Sequence, residues 1–486
     1  MLYREVGTGR QVTKTSPISG KLETVASRNA NAVLSFDSVF EQAHRDRHLV
    51  CEGDVLSLPH SSLRPMELQA RRDRLLEIES EVLSPYGTPV YVFFEEDIRE
   101  NYRTLRTALD EQYPDSVIHF AVKANYNPGI LSVLRDEGCH AEAYATGELS
   151  AALEAGYSPQ ELLLTGMNRR LSDVEQALET GVEHFLVDNA TELERLIVAA
   201  DETEAQPKVL IRGNPSMEVP THPEVATATR ESKFGLDIES GRAMAVAERT
   251  ASASAVELAG GQLHIGSQIN GVEPYGTAAR ELLGFAADIR DELGIEIDIL
   301  DLGGGFPVPY DGPVPDTEAI VTEISRTVRE TANTLDLPLP TLFLEPGRRL
   351  VGNAGTLVTT VGVIKQTPHT SFAVLDAGTN AVSSYWPYPM FALTDGKATE
   401  HYDVAGPLCY TGDVLAADVE LPPLEAGALL AIDRIGAYSL GSASHTNAQP
   451  KPPVLLCRSD GDVTVIRRPE TPTDVFANAE VPDDLR

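Results

Sequence analysis

The sequence predicts an α/β chain, a (β/α)8 TIM-type barrel followed by a C-terminal β domain, and three observations carry that expectation. Eight β-type apolar runs recur between residues 113 and 353, most of them separated by helix-type periodicity. Beyond Asn353 the helical patterns give way and strand-like runs dominate. The eight runs also end on polar or glycine residues, and a barrel concentrates its chemistry at the C-terminal ends of its strands. Alternating strands and helices imply a parallel sheet, and eight repeats in about 230 residues imply that it closes.

Taken in order, residues 1–60 mix Ser, Thr, Asn and charged side chains without sustained periodicity and read as an N-terminal extension of uncertain order. Residues 61–112 read as a segment that partly joins the β domain, with helical spacing over 66–83, a strand over 88–94 and a helix over 95–109. The barrel is expected over 113–353. Its strands are predicted at 117–122, 140–145, 162–165, 184–187, 208–212, 261–265, 295–302 and 341–344. Helical patterns fall at 129–137, 148–155, 173–180, 191–200, 241–250, 278–293 and 317–335. Ser172 with Glu175 has the spacing of a capping box and Asn189 with Glu192 imitates it, which marks two helix starts. Residues 354–486 are assigned to the β domain, with strands at 357–365, 372–375, 402–404, 414–421 and 429–435. A hairpin runs from 454–457 through Asp460 and Gly461 into 463–466. The tail after Pro469 reads as frayed.

With 486 residues and 42% hydrophobic side chains the chain is long enough for proper cores. A net charge of −34, with eight lysines against thirty-one arginines, argues against nucleic acid as a partner, because phosphate binding wants clustered cations. Such a surface suits a high-salt cytoplasm, where charges are strongly screened, and equally an ordinary acidic protein. Cys51, Cys139, Cys409 and Cys457 are widely spaced, which suggests neither a disulfide framework nor a metal site. No stretch approaches the ~20 apolar residues of a membrane span, and no signal-peptide core is seen at the N-terminus. A cytoplasmic protein without membrane partners is expected.

The predicted strand ends are Lys123, Glu142, Asn168, Asp188, Asn214, His264, Gly303-Gly304-Gly305 and Glu345, a polar ring facing one mouth. Alone, Lys123 reads as a strand-end lysine with its head in water. Its neighbours reverse that. Consecutive glycines let backbone N–H groups approach a phosphate closely. His264 and Ser267 bring an imidazole and a hydroxyl to another strand end, and Glu345 and Arg348 supply a carboxylate and a guanidinium, suited to a protonated ring nitrogen and a phosphate. A lysine amine, a phosphate cradle, a flat-ring neighbour and an acid for a ring nitrogen together fit pyridoxal 5'-phosphate.

The pieces Phe120-Ala-Val-Lys-Ala-Asn125, His264-Ile-Gly-Ser-Gln268, Asp301-Leu-Gly-Gly-Gly305, Glu345-Pro-Gly-Arg348, Gly406-Pro-Leu-Cys409 and Gly436-Ala-Tyr438 stand in the order found in diaminopimelate decarboxylases. More broadly the chain resembles the barrel-type (fold type III) pyridoxal phosphate decarboxylases, with an alanine racemase-like fold, over roughly residues 85 to 460. The resemblance implies a carboxy-lyase of amino-acid metabolism, in lysine biosynthesis, that releases carbon dioxide from an amino acid's α-carbon. It matches Lys123 to the Schiff-base lysine, His264 to the imidazole stacked on the ring, and Ser267, Gly303, Gly304, Gly305, Gly347 and Arg348 to the phosphate site. Glu345 matches the partner of the pyridine nitrogen, and Tyr438 a tyrosine reaching phosphate or substrate. Cys409 matches the cysteine that protonates the carbanion, donated in the family by the neighbouring subunit, so a homodimer with shared sites is expected. Arg348, Tyr385, Tyr410 and Tyr438 are then the residues that meet substrate.

Two departures bear on the substrate. Diaminopimelate decarboxylases place a glutamate after the cysteine, where it receives a distal ammonium; Tyr410 stands there instead. They also carry an arginine shortly after the Asp-Ala-Gly segment, where Ala381 falls if the shorter loop after Asp376 is aligned directly, with Tyr385 beyond it. Each lost charge-assisted contact is worth ~1.5–3 kcal/mol. Decarboxylation of another amino acid (ornithine, lysine, arginine, a carboxylated polyamine or a biosynthetic intermediate) is therefore the alternative, followed by a racemase or a non-catalytic homologue on the same fold.

Overall fold

The structure, a computed structural model, describes residues 65–486 except 220, 223, 224 and 226. The extension expected over 1–60, with Cys51, lies outside the described residues. After helices Pro65–Glu77 and Glu79–Tyr86, the first strand is β1 (Val90–Phe94), buried along its whole length, followed by helix Glu95–Gln112.

The barrel then begins. Its first five strands are β2 (Ser116–Ala121), β3 (His140–Ala143), β4 (Leu162–Leu164), β5 (His184–Val187) and β6 (Lys208–Asn214), each parallel to the next. A two-residue strand, β7 (Leu236–Asp237), attaches to the end of β6. Then β8 (Glu257–Gln262), β9 (Ile299–Asp301) and β10 (Thr341–Leu344) continue the circle, and β10 pairs back onto β2. Side chains alternate across a strand, so one set fills the barrel and the other packs on the helices. Leu163, Leu186, Leu210, Ala259, Ile299 and Phe343 form the inner plug, which leaves only the C-terminal mouth for chemistry. The outer helices follow from their spacing. Helix Glu273–Leu293 buries Ala278, Ala279, Leu282, Leu283, Ala286 and Ile289 on one face and stops at Gly294, whose φ of +70° suits a residue without Cβ.

Two local expectations fail for identifiable reasons. The strand expected over 261–265 lies at Glu257–Gln262. The expected strand starts at Gly261, but Gly260 lies inside the strand as well, in close approach to its neighbour: a Cβ there would lie 2.6 Å from the Ile299 carbonyl oxygen. The helix expected to start behind Ser172 begins at Leu171, and its first turn is closed by Asp173, whose carboxylate accepts the Arg170 N–H at 3.1 Å. Asn189 does cap its helix, accepting the Glu192 N–H at 3.1 Å.

The second sheet contains β11 (Gly355–Gln366), β12 (Ser371–Leu375), β13 (Met390–Ala392), β14 (Glu400–Ala405), β15 (Val414–Leu421), β16 (Leu429–Ile432), β17 (Val454–Cys457) and β18 (Val463–Arg467). The strand order is β15-β14-β12-β11-β1-β17-β18, with β16 on β11 and β13 on β16. The early strand β1 thus lies inside this sheet, antiparallel to β11 and parallel to β17. Loops from this sheet meet the barrel mouth: Asn125 Nδ2 donates to the Gly436 carbonyl at 3.0 Å, and Tyr438 N donates to the Ala124 carbonyl at 2.8 Å. Tyr438 has φ +60°, a left-handed conformation that side chains other than glycine adopt at a cost. That cost sits next to Lys123.

Candidate active site

Lys123 stands on the short turn Val122–Ala124 that ends β2. Ala121 is opposite Glu142 in the parallel register, so Lys123 and Glu142 face the same way. Lys123 Nζ donates to Glu142 Oε2 at 2.5 Å. Burial alone would depress the amine, but Glu142, then Glu345 and Tyr438, outweigh it and hold Lys123 above the ordinary lysine value. The Lys123 side chain is 35% exposed, and it is the pairing with a fully buried carboxylate that sets it apart from a strand-end lysine with its head in water.

Across the mouth, Arg212, Gln262 and Asp301 lie opposite one another on β6, β8 and β9 and turn into the barrel together. Asp301 Oδ1 accepts the Gly303 N–H at 2.8 Å, and Gln262 Nε2 donates to Glu345 Oε2 at 3.2 Å. Glu345 Oε1 and Asp301 Oδ2 are buried and have no donor among the described residues other than a proton shared between the two carboxyls. Burial pushes the Asp301 carboxyl up to about 6 against the pull of its hydrogen bonds. Burial, then repulsion from Asp301 and Glu142, pushes Glu345 well above the carboxylate range. The pair therefore holds a proton and lacks a cation. Arg212 approaches Asp188 instead, at 3.7 Å.

Gly303 and Gly305 have φ of +64° and +92°, and a Cβ on Gly304 would lie 2.2 Å from the Glu345 carbonyl oxygen. The turn thus passes too close to β10 for any side chain. The Gly304 N–H donates to His264 Nδ1 at 3.1 Å, which leaves the neutral ring its hydrogen on Nε2. Burial, then the charges of Arg212 and Lys123, keeps His264 well below its usual pKa and therefore neutral at pH 7. Arg348 is buried; Nε and Nη2 donate to Ser267 Oγ at 3.3 and 3.2 Å, and Nη1 to the Tyr310 hydroxyl at 2.8 Å. Its guanidinium lies 4.8 Å from the ring centroids of both Trp386 and Tyr438. Gly347 is pressed against Ala124, where a Cβ would be 2.9 Å from that residue's own.

Lys123, His264, Ser267, the glycine turn, Glu345, Gly347, Arg348 and Tyr438 therefore line one mouth. Cys409, Tyr410 and Tyr385 stand elsewhere, on exposed loops of the second sheet. Tyr385 and Tyr410 border one open depression with Thr379, Ser383, Ser439 and Ser442, and the Tyr410 hydroxyl is hydrogen-bonded to Thr379 Oγ1. Two expected members of the polar ring are engaged elsewhere: Asn214 Nδ2 donates to the Thr229 and Phe234 carbonyls at 3.1 and 3.2 Å, and Asn168 is exposed. The sequence reading gave no role to Glu142, Asp301, Arg212 or Tyr310. The first three follow from the inward parity of their strands once the register is known.

The residues present fit pyridoxal phosphate. The buried Asp301 and Glu345 carboxyls have only a shared proton between their facing oxygens, and the backbone of the glycine turn has no room for side chains, so both ends of a phosphorylated pyridine find a counterpart. Among the described residues no cluster of His, Cys, Asp and Glu has the arrangement of a metal site, and no helix is long and apolar enough to cross a membrane.

Residues 95–352 match the family described as pyridoxal-dependent decarboxylase, pyridoxal binding domain. Fold and site together make the chain a pyridoxal phosphate-dependent carboxy-lyase of the barrel type. It is 37% identical over 404 residues to the diaminopimelate decarboxylase of Pseudomonas aeruginosa, spanning 82% of this chain and 94% of that protein. Against the Methanocaldococcus jannaschii enzyme of the same name the identity is 33% over 415 residues, 83% of this chain and 94% of that one. A crystal structure of the M. jannaschii enzyme in co-complex with L-lysine superposes with a TM-score of 0.79 at 32% identity, over 84% of this chain and 95% of that chain. The chain belongs to the diaminopimelate decarboxylase family.

Proposed function

We propose that the enzyme decarboxylates diaminopimelate, giving lysine, as a cytoplasmic homodimer with shared active sites. The observation that carries this reading is the Lys123 amine paired at 2.5 Å with Glu142 in a mouth that also holds the buried Glu345 carboxyl. Residues 113–353 form the cofactor-binding barrel, 354–486 the β domain, and 61–112 lends it a strand.

Each residue's part follows from its surroundings. Lys123 would be the covalent anchor for the cofactor aldehyde. The glycine turn, Gly347, Ser267, Arg348 and Tyr438 would hold the phosphate, and neutral His264 would face the ring. Glu345, kept protonated by burial and Asp301, would meet the ring nitrogen. Bound there, pyridoxal phosphate supplies the sink for the electron pair left when carbon dioxide departs. Cys409 Sγ of the neighbouring subunit would deliver the proton that takes the place of the departed carboxylate on the α-carbon. Its exposure on one protomer supports a role across an interface. Arg348, Tyr385, Tyr410 and Tyr438 meet the substrate.

The Tyr410–Thr379 hydroxyl pair favours a second reading, in which the far end of the substrate is less basic than that of diaminopimelate. Carbon dioxide release from diaminopimelate, lysine, ornithine, arginine, glutamate and carboxylated polyamine precursors decides between them. Release fastest from diaminopimelate supports the first reading, fastest release from another amino acid replaces it with the second, and inversion without gas overturns both.

A further inference from the structure

Cys409 is fastened at two points by one residue 38 positions away. The Cys409 backbone N–H donates to Asn447 Oδ1 at 2.9 Å, and Asn447 Nδ2 donates to Cys409 Sγ at 3.0 Å. A carboxamide offers one acceptor and two donor hydrogens on a rigid plane, so both bonds fix the loop and the sulfur at once.

The surroundings hold Asn447 to that geometry. Asn447 and Ala448 both have φ of +55°, a conformation asparagine tolerates and alanine adopts at a cost. Three loops also fasten one another in a ring. The Asp413 carboxylate accepts the N–H groups of Leu408 and Thr379, both at 2.7 Å, so the cysteine loop is tied to the segment after β12. In that segment the Asn380 carbonyl accepts the Ser444 N–H at 2.9 Å. The Ser444 loop leads to Asn447 and back to Cys409. Glu470 secures its far end, accepting from His445 Nε2 at 2.7 Å and the Lys451 N–H at 2.9 Å.

We propose that Asn447 is a positioning residue for Cys409: its amide occupies one lone pair of the sulfur and so directs the thiol proton to a single side. This rests on the reading of Cys409 as the proton donor. The same N–H remains on the sulfur after the proton has left, where a charge-assisted bond is stronger than the one it replaces. Asn447 thus favours the donating step as well as the orientation.

Two variants of the holoenzyme separate this role from a structural one. Asn447→Asp keeps an acceptor for the Cys409 N–H and loses the donor to sulfur, while Asn447→Ala loses both. Turnover is measured in deuterium oxide with diaminopimelate, or with whichever amino acid releases carbon dioxide fastest, and NMR reads the configuration of the new C–D bond. The wild-type product carries deuterium on one face. Asn447→Asp lowers kcat about tenfold, the size of one hydrogen bond to a charged group, leaves KM within about twofold, and places deuterium on both faces; Asn447→Ala does at least as much. Wild-type kcat and single-face deuteration in Asn447→Asp overturn the proposal, even if Asn447→Ala is impaired. Cys409→Ala, run alongside, distinguishes the two failures. Full turnover without the thiol removes the donor reading and this proposal with it, whereas loss in Cys409→Ala beside an unaffected Asn447→Asp removes the positioning role alone.

Discussion

Replacing Asp301 by Asn removes a buried negative charge that the apoprotein holds at a cost. Asn keeps an oxygen for the Gly303 N–H that Asp301 accepts at 2.8 Å, and its amide faces the carboxyl of Glu345. Burial raises Asp301 from 3.8 to about 6. A rise of that size corresponds to about 3 kcal/mol at 1.36 kcal/mol per unit. Because the folded state holds this proton more tightly than the unfolded chain, acid favours folding. The penalty is absent below pH 3.8, the unfolded value, and complete once the pH has passed the folded value of about 6. Between pH 5 and pH 8 it grows by about 1 kcal/mol. Glu345, raised by burial and by the same neighbour, acts in the same direction. Urea unfolding of wild-type and Asp301→Asn apoprotein, at fixed salt and protein concentration, measures the difference. The stability gained by the variant should be larger at pH 8 than at pH 5, by about 1 kcal/mol. A gain that is equal at both pH values, or larger at pH 5, would refute a buried, proton-holding Asp301.

Gly304→Ala brings a Cβ to 2.2 Å from the Glu345 carbonyl oxygen, so the turn must shift; cofactor affinity, titrated by absorbance, should fall at least about tenfold for a ~1.4 kcal/mol loss, and unchanged affinity would remove this turn from the cofactor site. Tyr410→Glu restores an acid where the family receives a distal ammonium, and kcat/KM for diaminopimelate should rise by about tenfold, the worth of one charge-assisted bond. A fall with diaminopimelate, while another amino acid is unaffected, would show that this position does not read the distal amine. Lys123→Ala should abolish turnover, since the amine that would anchor the cofactor aldehyde is lost; decarboxylation at near wild-type rate would exclude the role assigned to Lys123.

What could be read from the sequence was what lies within one strand and its following turn. Lys123, His264, the glycine triplet and Glu345 each sit just beyond a β-type run, and a barrel places such residues at one mouth whatever its exact register. The partners across strands were not readable in that way. Glu142 meets Lys123 because β3 pairs Glu142 with Ala121, and Arg212, Gln262 and Asp301 share a row because of the offsets among β6, β8 and β9. A shift of one residue would turn each of them outward. Asn168 and Asn214 illustrate the converse: they end their strands, but one lies in solvent and the other is consumed by its own loop. The strand expected over 261–265 starts too late because Gly260 carries no β-type signal, and only its close approach to Ile299 accounts for it. Asn447 was invisible, since nothing local joins it to a cysteine 38 residues earlier.

The central claim, that Lys123 carries the cofactor, is tested most directly by reducing the holoenzyme with borohydride and mapping the peptides by mass. The chain has only eight lysines, so the modified one is unambiguous. One pyridoxyl phosphate group per chain is expected, on the peptide containing Lys123. A label on another lysine, or none on a protein that decarboxylates, would contradict it.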